Sequence, residues 1–208
     1  MTSSQDKVSA EWDALAGEWD DLAAGYRDGI VRVFYDHITP DSLVLDFGCG
    51  TGLLTEKLRE KASQVMCVDP APRMIEQVQE KIRAGDWRNV KAHCCSLAHL
   101  EYAPKSIRQE MGALKGKVDL IVASSVLSFI PEEDVADTMK ELGNLLRPNG
   151  CLCHADWPKC DKHPDGFTKE SAGKFYEMAS LEHQSARVIS IDMGGGDHSV
   201  FFGVAVKR

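Results

Sequence analysis

The sequence lacks any stretch approaching the roughly 20 consecutive apolar residues that cross a bilayer, so no membrane span is expected. Its start, M-T-S-S-Q-D-K-V-S-A-E-W-D, has no apolar core behind a basic end and does not read as a secretory signal. A cytoplasmic location is the expectation. Basic charge is scarce: 24 Lys and Arg stand against 32 Asp and Glu, for a formal net charge of −8. With no local Lys/Arg cluster either, nucleic acid is not an expected partner. Paired C-x-x-C spacings are absent among the seven cysteines. Cys151, Cys153, His154, Cys160 and His163 therefore match no standard zinc spacing, and Cys94 and Cys95, being adjacent on a strand, point to opposite faces rather than chelating with His93. No metal is expected. Several cysteines lie within apolar strand patterns, where they act as small buried hydrophobes, so disulfides are not expected.

What is present is an α/β pattern. The 208 residues suit one well-buried domain, with residues 1–40 as an N-terminal helical cap and 41–208 as the core. In the cap, E-W-D-A-L-A-G at Glu11 is echoed seven residues later by E-W-D-D-L-A-A. Trp12, Leu15, Trp19, Leu22 and Tyr26 fall on one helical stripe that continues through Ile30, Val33, Phe34 and His37, with breaks expected at Gly17 and Gly25.

The chain is organised around S-L-V-L-D-F-G-C-G-T-G-L-L-T, which starts at Ser42. An apolar strand ends at Asp46, glycines follow at 48, 50 and 52, and a helical pattern begins at Leu53. Glycine allows close backbone approach, and the helix start offers unpaired N–H groups, so a nucleotide-like ligand suits the turn. The G-x-G-x-G spacing differs from the G-x-G-x-x-G of dinucleotide sites. A carboxylate two residues before the first glycine would repel a pyrophosphate but attract an ammonium or sulfonium, and S-adenosylmethionine carries both cations. Asp69 ends the next apolar segment, 69 − 50 = 19 residues after the middle glycine, where an acidic group can accept both ribose hydroxyls.

The run L-D-F-G-C-G-T-G, with V-M-C-V-D-P-A-P-R-M-I behind it, resembles the first two motifs of class I S-adenosylmethionine-dependent methyltransferases of the small-molecule type. The resemblance implies a Rossmann-like, doubly wound seven-stranded sheet of order 3-2-1-4-5-7-6, strand seven antiparallel, with helices on both faces. It implies cofactor contacts from Asp46, Gly48, Cys49, Gly50, Gly52, Asp69, Pro70 and Met74. Trp19 and Tyr26 would lid the methionine end. Cys95 and Ser96 stand where the family has an acidic and a small residue beside the adenine, a departure that removes a carboxylate contact. The strand K-V-D-L-I-V-A-S-S with V-L-S-F-I-P resembles the fourth motif, placing Ser124 and Ser125 at the cofactor and Ser128 at the acceptor. The run L-L-R-P-N-G-x-L-x-x-x-D-W again resembles the family, with Trp157 on the acceptor side, and Asp156 and His154, at a strand's C-terminal end, are candidates for a general base.

Later, Phe167 to Ala179 reads as a helix, and two strands, His183 to Met193 and His198 to Val206, flank a hairpin turn at Gly194-Gly195-Gly196-Asp197. The connection 97–116 has no assigned role. The expected reaction is in-line methyl transfer from S-adenosylmethionine to a small-molecule acceptor, leaving S-adenosylhomocysteine, by a monomer or homodimer. A non-catalytic cofactor-binding partner subunit and a dinucleotide-dependent oxidoreductase are the alternatives.

Overall fold

The computed structural model describes residues 4–192 and 196–208. Two helices, α1 (Ser4–Leu15) and α2 (Trp19–Tyr35), precede the sheet. Next come β1 (Leu43–Phe47), α3 (Leu53–Leu58), β2 (Gln64–Asp69), α4 (Pro72–Gly85), β3 (Val90–Cys94), α5 (Lys105–Leu114) and β4 (Val118–Ser124). The chain continues with α6 (Glu132–Leu145), β5 (Leu146–Asp156), α7 (Lys169–Met178), β6 (Glu182–Asp192) and β7 (Asp197–Val206).

The seven strands form one sheet in the order β3-β2-β1-β4-β5-β7-β6. β1 to β5 pair in parallel, whereas β7 is antiparallel to both β5 and β6. Continuous apolar runs such as Val118-x-Leu120-Ile121-Val122-Ala123 make the central strands, which are buried on both faces as parallel strands require. On one face Phe34 of α2, Leu58 of α3 and Val78 of α4 pack on Val44, Leu120 and Val122. On the other, Met111 of α5, Met139 and Leu142 of α6 and Tyr176 of α7 pack on Leu45, Ile121 and Leu152.

The helix ends are set by local chemistry. Pro72 opens α4, where a missing N–H costs no hydrogen bond. Glu132, Glu133 and Asp134 complement the positive end of α6. Thr168 and Ser171 exchange a reciprocal capping box at the start of α7.

Several details differ from the sequence expectation. Gly17 separates the first two helices, but Gly25 does not break α2, because Ile30, Val31 and Phe34 anchor the helix in the core and outweigh the roughly 1 kcal/mol cost of an interior glycine. Leu22 faces solvent at 65% exposure, and Leu15 at 39%, so the cap's stripe is narrower than its periodicity suggests. The stop expected at Arg147-Pro148-Asn149-Gly150 lies inside β5, which begins at Leu146 and absorbs the bend with Asn149 at φ 63°. The expected hairpin turn at Gly194-Gly195-Gly196-Asp197 lies partly outside the described residues.

Sheet order determines where a ligand can sit. The chain leaves β1 toward β2 and β3, then returns to the far side of β1 as β4, so a crevice opens between the carboxyl ends of β1 and β4. Strand register brings Asp46, Asp69, Ser124 and Asp156 to that same edge.

Candidate active site

A cavity of about 350 Å³ occupies the crevice, within the usual range for small-ligand sites. Its floor is the glycine turn. Gly48 has φ 68°, and a Cβ there would meet Val126 Cγ2 at 2.4 Å, so a side chain at 48 would drive the β4 connection outward. Gly50 has φ 53° and lies under the Trp19 indole, 3.6 Å from where its Cβ would be. The turn is tied to β2 by Gly48 N–H donating to Val68 O at 2.8 Å, and by Gly50 N–H donating to Asp69 Oδ2 at 3.0 Å. Ala71 N–H donates to the other oxygen, Oδ1, at 2.9 Å, which locks the carboxylate's orientation.

Two carboxylates line this cavity without a cation partner among the described residues. Asp46 accepts from Thr55 Oγ1 at 2.5 Å and is 2% exposed; burial pushes its pKa up to about 7, opposed by the Thr55 hydrogen bond. Burial likewise raises Asp69 to about 6, against the lowering effect of its two backbone donors. Both values reflect the same cause: a charge removed from water and met by hydrogen bonds but by no positive group. A ligand carrying fixed positive charge would satisfy them.

The roof comes from the cap and from the segment after β4. Trp12 packs edge-on against Trp19 (5.1 Å between centroids) and against Phe129 (5.3 Å), closing an aromatic wall. Tyr26 reaches down from α2 to share hydrogen bonds with Ser124 Oγ at 2.8 Å and Ser125 Oγ at 3.1 Å, and burial pushes its phenol up to about 12. Ser125 is held at φ 56°, a strained value for a residue with a side chain, and its N–H donates to Ala155 O at 2.6 Å. A clamp that the sequence reading did not identify fixes α2 over the glycine turn. Asp20 accepts from Thr51 Oγ1 at 2.5 Å and pairs with Lys81 Nζ at 2.6 Å, while Lys81 also donates to Thr51 O. Only an Asp close behind Trp19 hints at it in sequence, and nothing links that Asp to Lys81.

Of the residues singled out from sequence, Trp19, Tyr26, Asp46, Gly48, Cys49, Gly50, Asp69, Pro70, Met74, Cys95, Ser96, Ser124, Ser125 and Trp157 all line this one cavity. Gly52 does not; it caps α3 at φ 81°, against Val78. Ser128, His154 and Asp156 also lie outside the lining. His154 is fully buried, with Nδ1 2.8 Å from Asp156 Oδ2 and Nε2 2.8 Å from the Tyr176 hydroxyl. A carboxylate oxygen only accepts, so Nδ1–H donates to Asp156, and Nε2 shares a hydrogen bond with the Tyr176 hydroxyl. Ser128 Oγ donates to the remaining Asp156 oxygen at 3.4 Å. The polar atoms of His154, Asp156 and Tyr176 are thus engaged within the group in the buried interior, while Ser128 sits at the surface. Among cavity-lining thiols, burial pushes Cys95 up to about 12, so it stays protonated.

Sheet order and a glycine turn flanked by buried carboxylates define a methyltransferase-type α/β fold. The chain belongs to the methyltransferase domain family, of the class I S-adenosylmethionine-dependent kind, whose profile matches residues 45–152. It is 27% identical over 157 residues to an uncharacterised methyltransferase of Schizosaccharomyces pombe, covering 67% of this chain and 53% of that protein. It is 33% identical over 115 residues to a ubiquinone biosynthesis O-methyltransferase of Methylocella silvestris, covering 52% of this chain and 37% of that one. The chain thus spans about half the length, or less, of these relatives. A solved structure of magnesium protoporphyrin IX methyltransferase from Synechocystis, with S-adenosylhomocysteine bound, superposes with TM-score 0.73 over 99% of this chain and 100% of that one at 17% identity, a likeness of fold.

Proposed function

We propose that the chain transfers a methyl group from S-adenosylmethionine to a small, largely apolar, ring-bearing acceptor. The observation that carries this reading is the pair of buried carboxylates, Asp46 and Asp69, that meet no cation among the described residues. When bound, S-adenosylmethionine supplies an electrophilic methyl carbon on a positively charged sulfur. Asp46 and Asp69 would hold its positive charge and its ribose hydroxyls, Met74 and Cys95 would border the base, and Trp19 and Tyr26 would cover it.

The acceptor's nature is read from the rest of the wall. Trp12, Val126, Phe129, Ile130 and Trp157 give the cavity wall a large apolar and aromatic share, which suits a planar ring rather than a sugar or a peptide. Relatives that act in ubiquinone biosynthesis support the same class. Tyr26 and Cys95 both hold their protons near neutral pH. Rate is then supplied mainly by juxtaposition and exclusion of water, which favours an acceptor already nucleophilic as bound: an ionised phenol, carboxylate, thiolate or amine.

The test is a transfer assay with methyl-labelled S-adenosylmethionine and a panel of ring phenols, ring carboxylates and aromatic amines, alongside calorimetry with S-adenosylhomocysteine. Label appearing in one ring class is the expected result. Heat with S-adenosylhomocysteine but no transfer to any class would instead support a non-catalytic cofactor-binding subunit, and heat only with a dinucleotide would overturn both.

A further inference from the structure

Away from the cavity, a second group of chemically active side chains meets on the opposite side of β5 from His154. Cys151 and Cys153 are alternate residues of β5 and project from the same face. His37, which follows the Asp36 that ends α2, closes on them from the cap. One ligand atom from each, an imidazole nitrogen and two sulfurs, all lie within 4.8 Å of one another. A tetrahedral zinc with Zn–S near 2.3 Å and Zn–N near 2.0 Å sets its ligand atoms about 3.5–3.8 Å apart. Contraction of about 1 Å, within reach of side-chain rotation, would therefore make a three-ligand cradle.

The surroundings suit a cation site. Cys153 is fully buried whereas Cys151 and His37 are half-buried, so one side opens to solvent for a fourth ligand. No carboxylate belongs to the group. Two sulfurs and an imidazole select soft or borderline d10 cations over calcium or magnesium. Register separates this place from the cavity: Cys151 pairs with Leu120 of β4 and Val206 of β7, whereas the crevice begins where β4 ends at Ser124. None of the three residues lines the cavity.

We propose that His37, Cys151 and Cys153 bind one thiophilic d10 cation, zinc(II) or copper(I), which clips the end of α2 to the sheet. Both thiols release their protons to solvent on ligation, and no electron changes hands. The clip would act on the active site indirectly, because α2 carries Trp19 and Tyr26 over the cavity.

The experiment uses the full chain, stripped with chelator and kept reduced under anaerobic conditions. Cobalt(II) serves as the spectroscopic probe, and zinc(II) and copper(I) are each titrated against a chromophoric chelator. One equivalent of zinc or copper should bind with Kd below about 1 µM, thiolate-to-cobalt charge-transfer bands should appear, and the melting temperature should rise on metal addition. Cys151→Ser and His37→Ala should each weaken binding roughly 100-fold, equivalent to about 2.7 kcal/mol, with weaker charge-transfer bands in the former, where one thiolate remains. Cys160→Ser, an exposed cysteine outside the group, should leave it unchanged. Because Cys153 is buried, Cys153→Ala is judged only if S-adenosylhomocysteine still shifts its melting temperature, and Cys151→Ser supplies the same test at a half-buried position. Failure of both metals to bind below about 1 µM, or stoichiometric binding that survives Cys151→Ser, would overturn the proposal.

Discussion

Two arrangements of buried carboxylate flank β4 at the same edge of the sheet, and they are built in opposite ways. Asp46, on β1, has among the described residues a hydroxyl donor in Thr55 and no cation, and burial lifts it to about 7. Asp156, on β5, is matched on both oxygens, by the His154 imidazole and the Ser128 hydroxyl, and Tyr176 completes the chain of hydrogen bonds. The first arrangement costs the free protein stability and is suited to a ligand that brings positive charge. The second is complete without a ligand, and braces β5 against α7. A buried carboxylate is therefore informative about binding only when its partners have been counted.

The contrast can be broken most directly at the unpaired sites. Replacing Asp46 and Asp69 together by Asn should weaken S-adenosylmethionine binding by roughly 100-fold or more while keeping the fold, because each loses a charge and retains an acceptor oxygen. Calorimetry on the double variant measures it. An unchanged affinity would remove the basis for reading these groups as a cation site.

pH gives the next largest effect. A cation selects the ionised carboxylates, so the affinity for S-adenosylmethionine should rise with pH through the range 6 to 7. Between pH 5.5 and 7.5 ionisation of Asp46 alone predicts a gain on the order of tenfold, since the competent fraction scales the apparent Kd. Stability of the ligand-free protein should run the other way. Both groups have folded pKa values above the unfolded value near 3.9, so the folded state holds more protons than the unfolded one between pH 4 and 7. Their contribution is present below pH 4 and lost as pH rises through 6 and 7. Thermal melts with and without cofactor should therefore diverge as pH increases, and parallel curves would contradict the assignment.

The satisfied group predicts a different signature. Asp156→Asn, which can no longer accept on both sides from the same donors, should cost about 1–3 kcal/mol of stability, while the cofactor Kd changes less than threefold. A large loss of methyl transfer by a variant that still binds cofactor and melts normally would show that Asp156 acts on the acceptor after all.

Much of the site was legible because it is local. The glycine turn, the Asp before it and the Asp ending the next strand all lie within 69 − 46 + 1 = 24 residues, and parallel register carries them to one edge. What pattern reading missed depends on distant approach. Asp20 meets Thr51 and Lys81 across two elements, and His37 meets Cys151 only because α2 ends over β5. His154 looked available for proton transfer because it lies near a strand's carboxyl end. Alternation along β5, however, turns it into the core against Phe167, Tyr176 and Phe201. Gly25 looked like a helix break because propensity is read without the packing that overrides it.

The smallest effect sharpens the comparison at Ser125, between the two carboxylate sites. This residue holds φ 56° with a side chain, and its hydroxyl donates to Tyr26, which also bonds Ser124. Ser125→Ala removes that hydrogen bond but keeps the strained backbone, whereas Ser125→Gly removes both. Gly tolerates positive φ, so the glycine variant should be more stable than the alanine variant by about 1 kcal/mol, a difference attributable to backbone strain. Both should bind S-adenosylhomocysteine a few-fold more weakly than the parent, because the Tyr26 side of the roof has lost one of its two anchors. Chemical denaturation of the two variants, read together with their cofactor affinities, separates strain from anchoring. Equal stability would mean that the positive φ at 125 costs nothing, and unchanged affinity in both would mean that Ser124 alone holds Tyr26 over the cavity.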